Sequence, residues 1–188
     1  EYGDYSFVEK PFSDVDSLVL CQFAYLKFDG LAPGPMEKCE PVSVQELAQH
    51  EDYDHLYVDE RYRKDNTALF QRICNSRRFG DMRVWNYVNQ IEPDQETQFS
   101  AVVCGLSEGI VYVAFRGTDE NIVGWKEDLN LAFSEPVPGQ RLSVAYLEQA
   151  AQTIAGGFYV GGDSKGGNLA VYASMNCSVS VRERIVRI

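Results

Sequence analysis

The sequence predicts an α/β protein in which antiparallel leading strands feed a mostly parallel sheet with helices on both faces. Three observations carry that expectation. Strand-like runs at 83–88, 99–106 and 110–115 are separated by turns so short that the runs must be antiparallel neighbours. Beyond them, strands alternate with helices in a β, α, β, α, β series, the pattern of parallel strands joined by helical crossovers. Finally, 188 residues with 45% hydrophobic content suffice for one sizeable core, so one domain over residues 1–188 is expected.

Within that domain residues 1–80 are expected to be mainly helical and cap-like, and residues 81–188 to hold the sheet. Val15, Leu18, Val19 and Phe23 recur at helical spacing, as do Leu69, Phe70, Ile73 and Cys74. Between them Ser43 and Glu46 have the spacing of a capping box at the start of a short helix near Val44. The acidic, tyrosine-rich stretch 50–65 reads as a solvated connection with one buried turn. After Gly80 the period becomes strand-like, broken at Pro93-Asp94 and at Ser107-Glu108-Gly109. A helical turn near Trp125 follows, then a longer helix with Leu147, Ala150, Ala151 and Ile154 on one face, stopped by Gly156-Gly157. The strand FYVGG, a helix from Lys165 to about Met175 and a last strand RIVRI complete the series.

Charge narrows the partners. A formal net charge of −11 repels phosphate backbones and anionic headgroups, so no nucleic acid is expected. The longest strongly hydrophobic run is Ile110 to Phe115, too short for an integral membrane segment. Glu1 to Asp4 lack the basic start and apolar run of a secretory signal, so nothing demands export, and with the thiols read as reduced the cytoplasm is the expected compartment. Cys21, Cys39, Cys74, Cys104 and Cys177 are odd in number and show no CxxC spacing, so reduced, buried thiols are expected, with no metal and no cofactor.

The informative segment runs from Phe158 to Ala170, where Gly162, Ser164 and Gly166 form GxSxG between an apolar strand and an amphipathic helix. That is the pattern of a nucleophile elbow. A serine on so tight a turn needs glycine at 162 and 166, since side chains there would crowd the neighbouring strand and helix. The following helix aims its N-terminal N–H groups and positive dipole end at a reacting carbonyl, with Lys165 supplying the N–H after the nucleophile. A glycine-rich turn used only for packing or for phosphate is the competing reading. A Walker A loop is excluded by the spacing.

A second motif, Val111 to Asp119 followed by Val123 to Asn130, places Phe-Arg-Gly-Thr at a strand end with Trp125 and Asp128-Leu129-Asn130 beyond it. Together the two motifs resemble lipases of the fungal class 3 type. The sequence is closer still to a bacterial family of lipase-like α/β hydrolases of unknown function, whose elbow reads much like Ser164 to Ala173. The resemblance covers roughly Ser13 to the C-terminus and implies an α/β-hydrolase-like fold. It also implies that Thr118 gives the second oxyanion donor through its backbone N–H, helped by its hydroxyl; a helix N-cap is the plainer role for Thr118. Arg116 and Asp128 are candidates for an ion pair beneath the loop.

Two departures follow. Asp163 stands where the class 3 pattern has histidine, and its carboxylate is expected to turn away and serve the turn's hydrogen bonding. A GDSxGG elbow is also similar to esterases resembling hormone-sensitive lipase, but their upstream HGG loop is replaced here by FRGT. More seriously, no histidine follows Ser164, so this chain contains neither the acid nor the histidine of a triad in family order. His50 and His55 read as surface residues, and with Glu51 and Asp54 they match no metal-ligand spacing. The last strand ends without a closing element, so the chain is expected to be the N-terminal part of a longer hydrolase, incomplete at its C-terminus, inactive alone and open to self-association through its edge strand.

The expected function is that of a serine hydrolase cleaving a small-molecule or lipid carboxylic ester through an acyl-enzyme. The alternatives are an inactive binding or scaffold module on the same fold, and an acyltransferase or thioesterase using the same serine.

Overall fold

In the computed structural model, which describes residues 2–35, 37–57 and 62–188, the chain folds as an α/β protein around one six-stranded mixed sheet. In order it forms α1 (Asp14–Phe23), β1 (Val42–Ser43), α2 (Val44–Gln49), α3 (Arg63–Cys74), β2 (Arg83–Glu92), β3 (Thr97–Gly105), β4 (Val111–Phe115), α4 (Ile122–Asn130), α5 (Pro138–Thr153), β5 (Phe158–Gly162), α6 (Lys165–Asn176), α7 (Val179–Arg182) and β6 (Ile185–Arg187). The strands lie side by side in sequence order. The three pairings from β1 to β4 are antiparallel, and β4–β5 and β5–β6 are parallel. The helical first part thus contributes a short edge strand, β1, that a two-residue run was too brief to announce.

Alternation along the central strands divides the core between two faces. Val102, Cys104, Tyr112 and Ala114 face α1, α2 and α3, with Leu20, Phe23, Leu47 and Phe70 packed over them. Ala101, Val103, Val113 and Phe115 face Leu147 and Ala150 of α5 and Leu169 and Ala173 of α6. β3 is buried along almost its whole length, as a strand covered on both sides must be.

The helices mostly follow their sequence signals. Ser43 and Glu46 form the expected capping box, with the Glu46 carboxylate accepting from the Ser43 N–H at 2.8 Å and the Ser43 hydroxyl accepting from the Glu46 N–H at 3.1 Å. α1 exists but turns a different face inward: Val15 and Leu18 are exposed, whereas Asp16, Leu20 and Phe23 are buried. An apolar count misreads this helix because one core-facing position is an aspartate. Asp16 is accommodated by Arg78, which is equally buried and donates through Nε and Nη2 at 2.5 and 2.7 Å. The same guanidinium donates from Nη1 to the Lys10 carbonyl at 2.9 Å, fastening the N-terminal segment over the sheet.

Of the acidic stretch 50–65, Tyr53–Tyr57 forms a 3-10 turn that buries Leu56 and Tyr57, while residues 58–61 lie outside the described residues. No helix among the described residues is long and apolar enough to cross a membrane. The cysteines are unpaired; Cys21, Cys104 and Cys177 are buried, Cys74 is half-buried, and Cys39 is exposed, contrary to the expectation of buried thiols throughout. β6 pairs with β5, and among the described residues no strand lies on its other side.

Candidate active site

The site is set by the register of β4 against β5. Phe115 pairs with Gly162 in the parallel ladder, so the segments leaving these two strands, Arg116–Thr118 and Asp163–Ser164, emerge together at the C-terminal edge of the sheet. In open α/β sheets this edge is where ligands bind. The two segments are in contact. A Cβ on Gly166 would lie 2.8 Å from the Arg116 carbonyl carbon and 2.9 Å from the Gly117 nitrogen, and a Cβ on Gly162 would lie 2.6 Å from the Phe115 oxygen. Both elbow glycines are therefore dictated by backbone on backbone, which cannot yield as a side chain does. Phe115 itself is held by Phe99 and Tyr146, with ring centroids 6.1 and 5.7 Å away.

Ser164 occupies the bend with φ 51° and ψ −125°, a region that serine enters only under constraint. It is exposed, and its hydroxyl makes no hydrogen bond among the described residues. Behind it α6 begins. The Gly167 and Asn168 N–H groups are taken by the Asp163 and Ser164 carbonyls at 3.2 and 3.3 Å, which leaves the Lys165 N–H unpaired among the described residues. The Thr118 N–H is likewise unpaired. Its hydroxyl is not available to an oxyanion as expected, because it donates to Asp128 Oδ2 at 2.7 Å. Thr118 is not a helix cap either: Asn121 caps α4, accepting from the Val123 N–H at 2.9 Å.

Asp163 departs from expectation as well. Its carboxylate does not serve the turn, whose bonds are made by backbone; Oδ2 accepts from the Tyr25 hydroxyl at 2.9 Å. Asp163, Thr118, Tyr25 and Tyr62 line one open cleft of about 200 Å³ beside the elbow. Burial, and then the facing Asp163 carboxylate, push the Tyr25 hydroxyl well above the usual phenol range, so it stays a neutral donor.

Arg116 does not meet Asp128. It is almost wholly buried, donates to Asn89 at 2.9 Å and pairs with Asp119 at 3.3 Å, where Lys27 joins at 3.0 Å. The buried side-chain polar atoms that find no partner among the described residues all belong to this neighbourhood: Gln98, Ser100, Arg116, Asp128 and Asp163 supply them. Such atoms are few in folded proteins.

A family model described as Mbeg1-like matches residues 73–188, well over half of the chain and the part that holds both motifs. The chain belongs to the Mbeg1-like family. No curated protein and no solved structure matches it.

In this Mbeg1-like chain the structure brings Ser164, Thr118, Lys165, Gly162 and Gly166 together at one sheet edge. It leaves His50 and His55 on the acidic segment beside α2, where the Asp52 carboxylate lies 3.9 and 4.0 Å from their Nδ1 atoms. No group of three or more His, Cys, Asp and Glu among the described residues is placed to hold a metal ion. Three features escaped sequence reasoning. Tyr25 lies 138 positions from its partner and carries no motif. Glu127 is buried within the Trp125–Asn130 run and pairs with Lys165 at 2.8 Å. One signal for that pair was present: a lysine in the first turn of α6 faces the positive end of the helix dipole and calls for a counter-charge. The third feature is a row of exposed apolar side chains, Ile122, Trp125 and Leu129 on α4 and Phe133 just after it, next to the Thr118 loop.

Proposed function

We propose that this chain carries the nucleophile and the oxyanion-binding half of a serine hydrolase with an α/β-hydrolase-type site, related to class 3 lipases and acting on carboxylic esters. The observation that carries the reading is Ser164: an exposed, unengaged hydroxyl on a positive-φ bend, flanked by the unpaired Lys165 and Thr118 N–H groups.

The chemistry follows from those parts. Ser164 Oγ bonds to the ester carbonyl carbon while its proton passes to a base, and the carbonyl oxygen becomes an oxyanion held by the two N–H groups. The C–O bond to the alcohol then breaks, the alcohol leaves with the proton, and water hydrolyses the acyl-enzyme to the free acid. Each oxyanion donor typically contributes about 3 kcal/mol to the transition state. Lys165 is not the base despite its place beside the serine, since its ammonium is turned into the core toward Glu127 and the Gln98 carbonyl. Among the described residues no hydrogen bond joins the Ser164 hydroxyl to a proton acceptor. The exposed row from Ile122 to Phe133 beside the cleft suits an ester with an apolar acyl part.

Hydrolysis of short and medium p-nitrophenyl esters by the full-length protein, lost in Ser164→Ala, is the expected result. A folded full-length protein that turns over no ester contradicts the reading and favours a binding module on this fold, for which the same apolar row would be the contact surface. Preferential transfer of the acyl group to an added alcohol would make it a transferase.

A further inference from the structure

The buried pair between Lys165 and Glu127 has no part in the scheme above, yet both groups are held by several hydrogen bonds. Lys165 is 4% exposed and Glu127 0%. The ammonium donates to Glu127 Oε2 at 2.8 Å and to the Gln98 carbonyl at 2.7 Å. Glu127 Oε2 also accepts from the Gln98 N–H at 3.1 Å, and Oε1 accepts from the Gly139 N–H at 2.8 Å. Gly139 is itself fitted to this contact, because a Cβ there would stand 2.8 Å from Oε1. Four elements, β3, α4, α5 and α6, thus converge on one carboxylate.

Stability alone does not account for such an arrangement. A buried ion pair is often matched or bettered by apolar residues of similar size. The first turn of a helix is, moreover, the least favourable place for an ammonium. What the pair does is fix one residue in space, and that residue is the one whose N–H lies unpaired behind Ser164. A positive-φ bend persists only where its surroundings over-determine it. The adjacent carboxylate on α4, Asp128, holds Thr118. Consecutive residues of one helix therefore hold both sides of the site.

We infer that the Lys165 side chain and Glu127 are positioning residues: through the ion pair they set the direction of the Lys165 N–H toward the developing oxyanion. The inference rests on the serine-hydrolase reading of Ser164. Neither side chain touches substrate, so loss of the pair slows the bond-forming step and leaves binding alone.

The test is the kinetics of fluorophosphonate labelling of the full-length protein, comparing wild type with Lys165→Met, Glu127→Gln and the double variant. The double variant buries no unpaired charge and so guards against misfolding. Circular dichroism and a cooperative melt establish that each variant folds. The expected result is a limiting labelling rate lowered by about 10- to 100-fold, with the half-saturating probe concentration unchanged within about twofold. The double variant should be no slower than the slower single one. Folded variants that label at the wild-type rate overturn the pair's role while leaving Ser164 as nucleophile. A wild type that does not label overturns the nucleophile and the pair's role together. Failure of even the double variant to fold also overturns the inference, since the pair would then be core structure and no more.

Discussion

Thr118 Oγ1 donates to Asp128 Oδ2 at 2.7 Å, tying the loop after β4 to the C-terminal half of α4 while its own N–H stays unpaired. Because Asp128 Oδ1 is buried without a partner, this bond carries most of what holds that carboxylate. Thr118→Val keeps the shape and the N–H but removes the donor. It should cost about 1–3 kcal/mol in urea denaturation and slow labelling of Ser164 about tenfold, whereas Thr118→Ser stays close to wild type. Equal behaviour of Val and Ser at this position would show that the bond does nothing for the loop.

Gly166 sits where any Cβ meets the Phe115–Gly117 backbone. Gly166→Ala must push β4 and α6 apart, and a destabilisation of about 3 kcal/mol is expected from thermal melts, together with loss of the elbow geometry. Gly167→Ala is the internal control, since a Cβ there comes no closer than 3.2 Å to the Gly162 oxygen. Similar losses from both substitutions would contradict the account of the turn.

Ser164 holds its bend at a cost that glycine does not incur. Ser164→Gly should therefore raise stability by about 1 kcal/mol while abolishing every activity of the site. A less stable Ser164→Gly protein would mean that the bend is relaxed.

Arg78 and Asp16 are both buried and meet through two hydrogen bonds, with the guanidinium also donating to the Tyr5, Ser6, Lys10 and Pro11 carbonyls. Arg78→Met strands a buried carboxylate and should cost about 3–5 kcal/mol in chemical denaturation. Adding Asp16→Leu should recover part of that loss, and failure to recover any would argue against a charge effect.

Asp119 gives a pH signature. Burial alone would raise its carboxyl pKa, but the Asn121 N–H, the Lys27 ammonium and the Arg116 guanidinium outweigh burial and hold it below the ordinary 3.8. A depressed folded-state value stabilises the protein above the unfolded value and ceases to do so as pH falls through the folded one. The stability difference between wild type and Asp119→Asn should therefore be constant above about pH 5 and shrink below about pH 4. A difference that does not change down to about pH 3 would remove Asp119 from the loop's support.

The sheet core was legible because its signals are local: strand period from 83 to 115, the helix face at Leu147, Ala150 and Ala151, and the strand–glycine–serine–glycine–helix order around Ser164. What could not be read depends on side chains meeting across the fold. The inward face of α1 was hidden because Asp16 occupies a core position by virtue of Arg78, 62 residues away. The partner of Asp163 is a tyrosine 138 positions earlier in the sequence. Thr118, Arg116 and Asp128 lie in one neighbourhood, but which of them pair is decided by α4 lying over β3, where Gln98 packs against Gly124. The motif singled out the Lys165 N–H, whereas the partner of its side chain is a glutamate 38 positions earlier.

The central claim is that Ser164 is a nucleophile. Its most direct measurement is peptide mapping of the full-length protein after fluorophosphonate treatment. A single adduct on the peptide containing Ser164, absent from Ser164→Ala and from denatured protein, is predicted. A folded protein that carries no adduct at Ser164, or carries it elsewhere, contradicts the account.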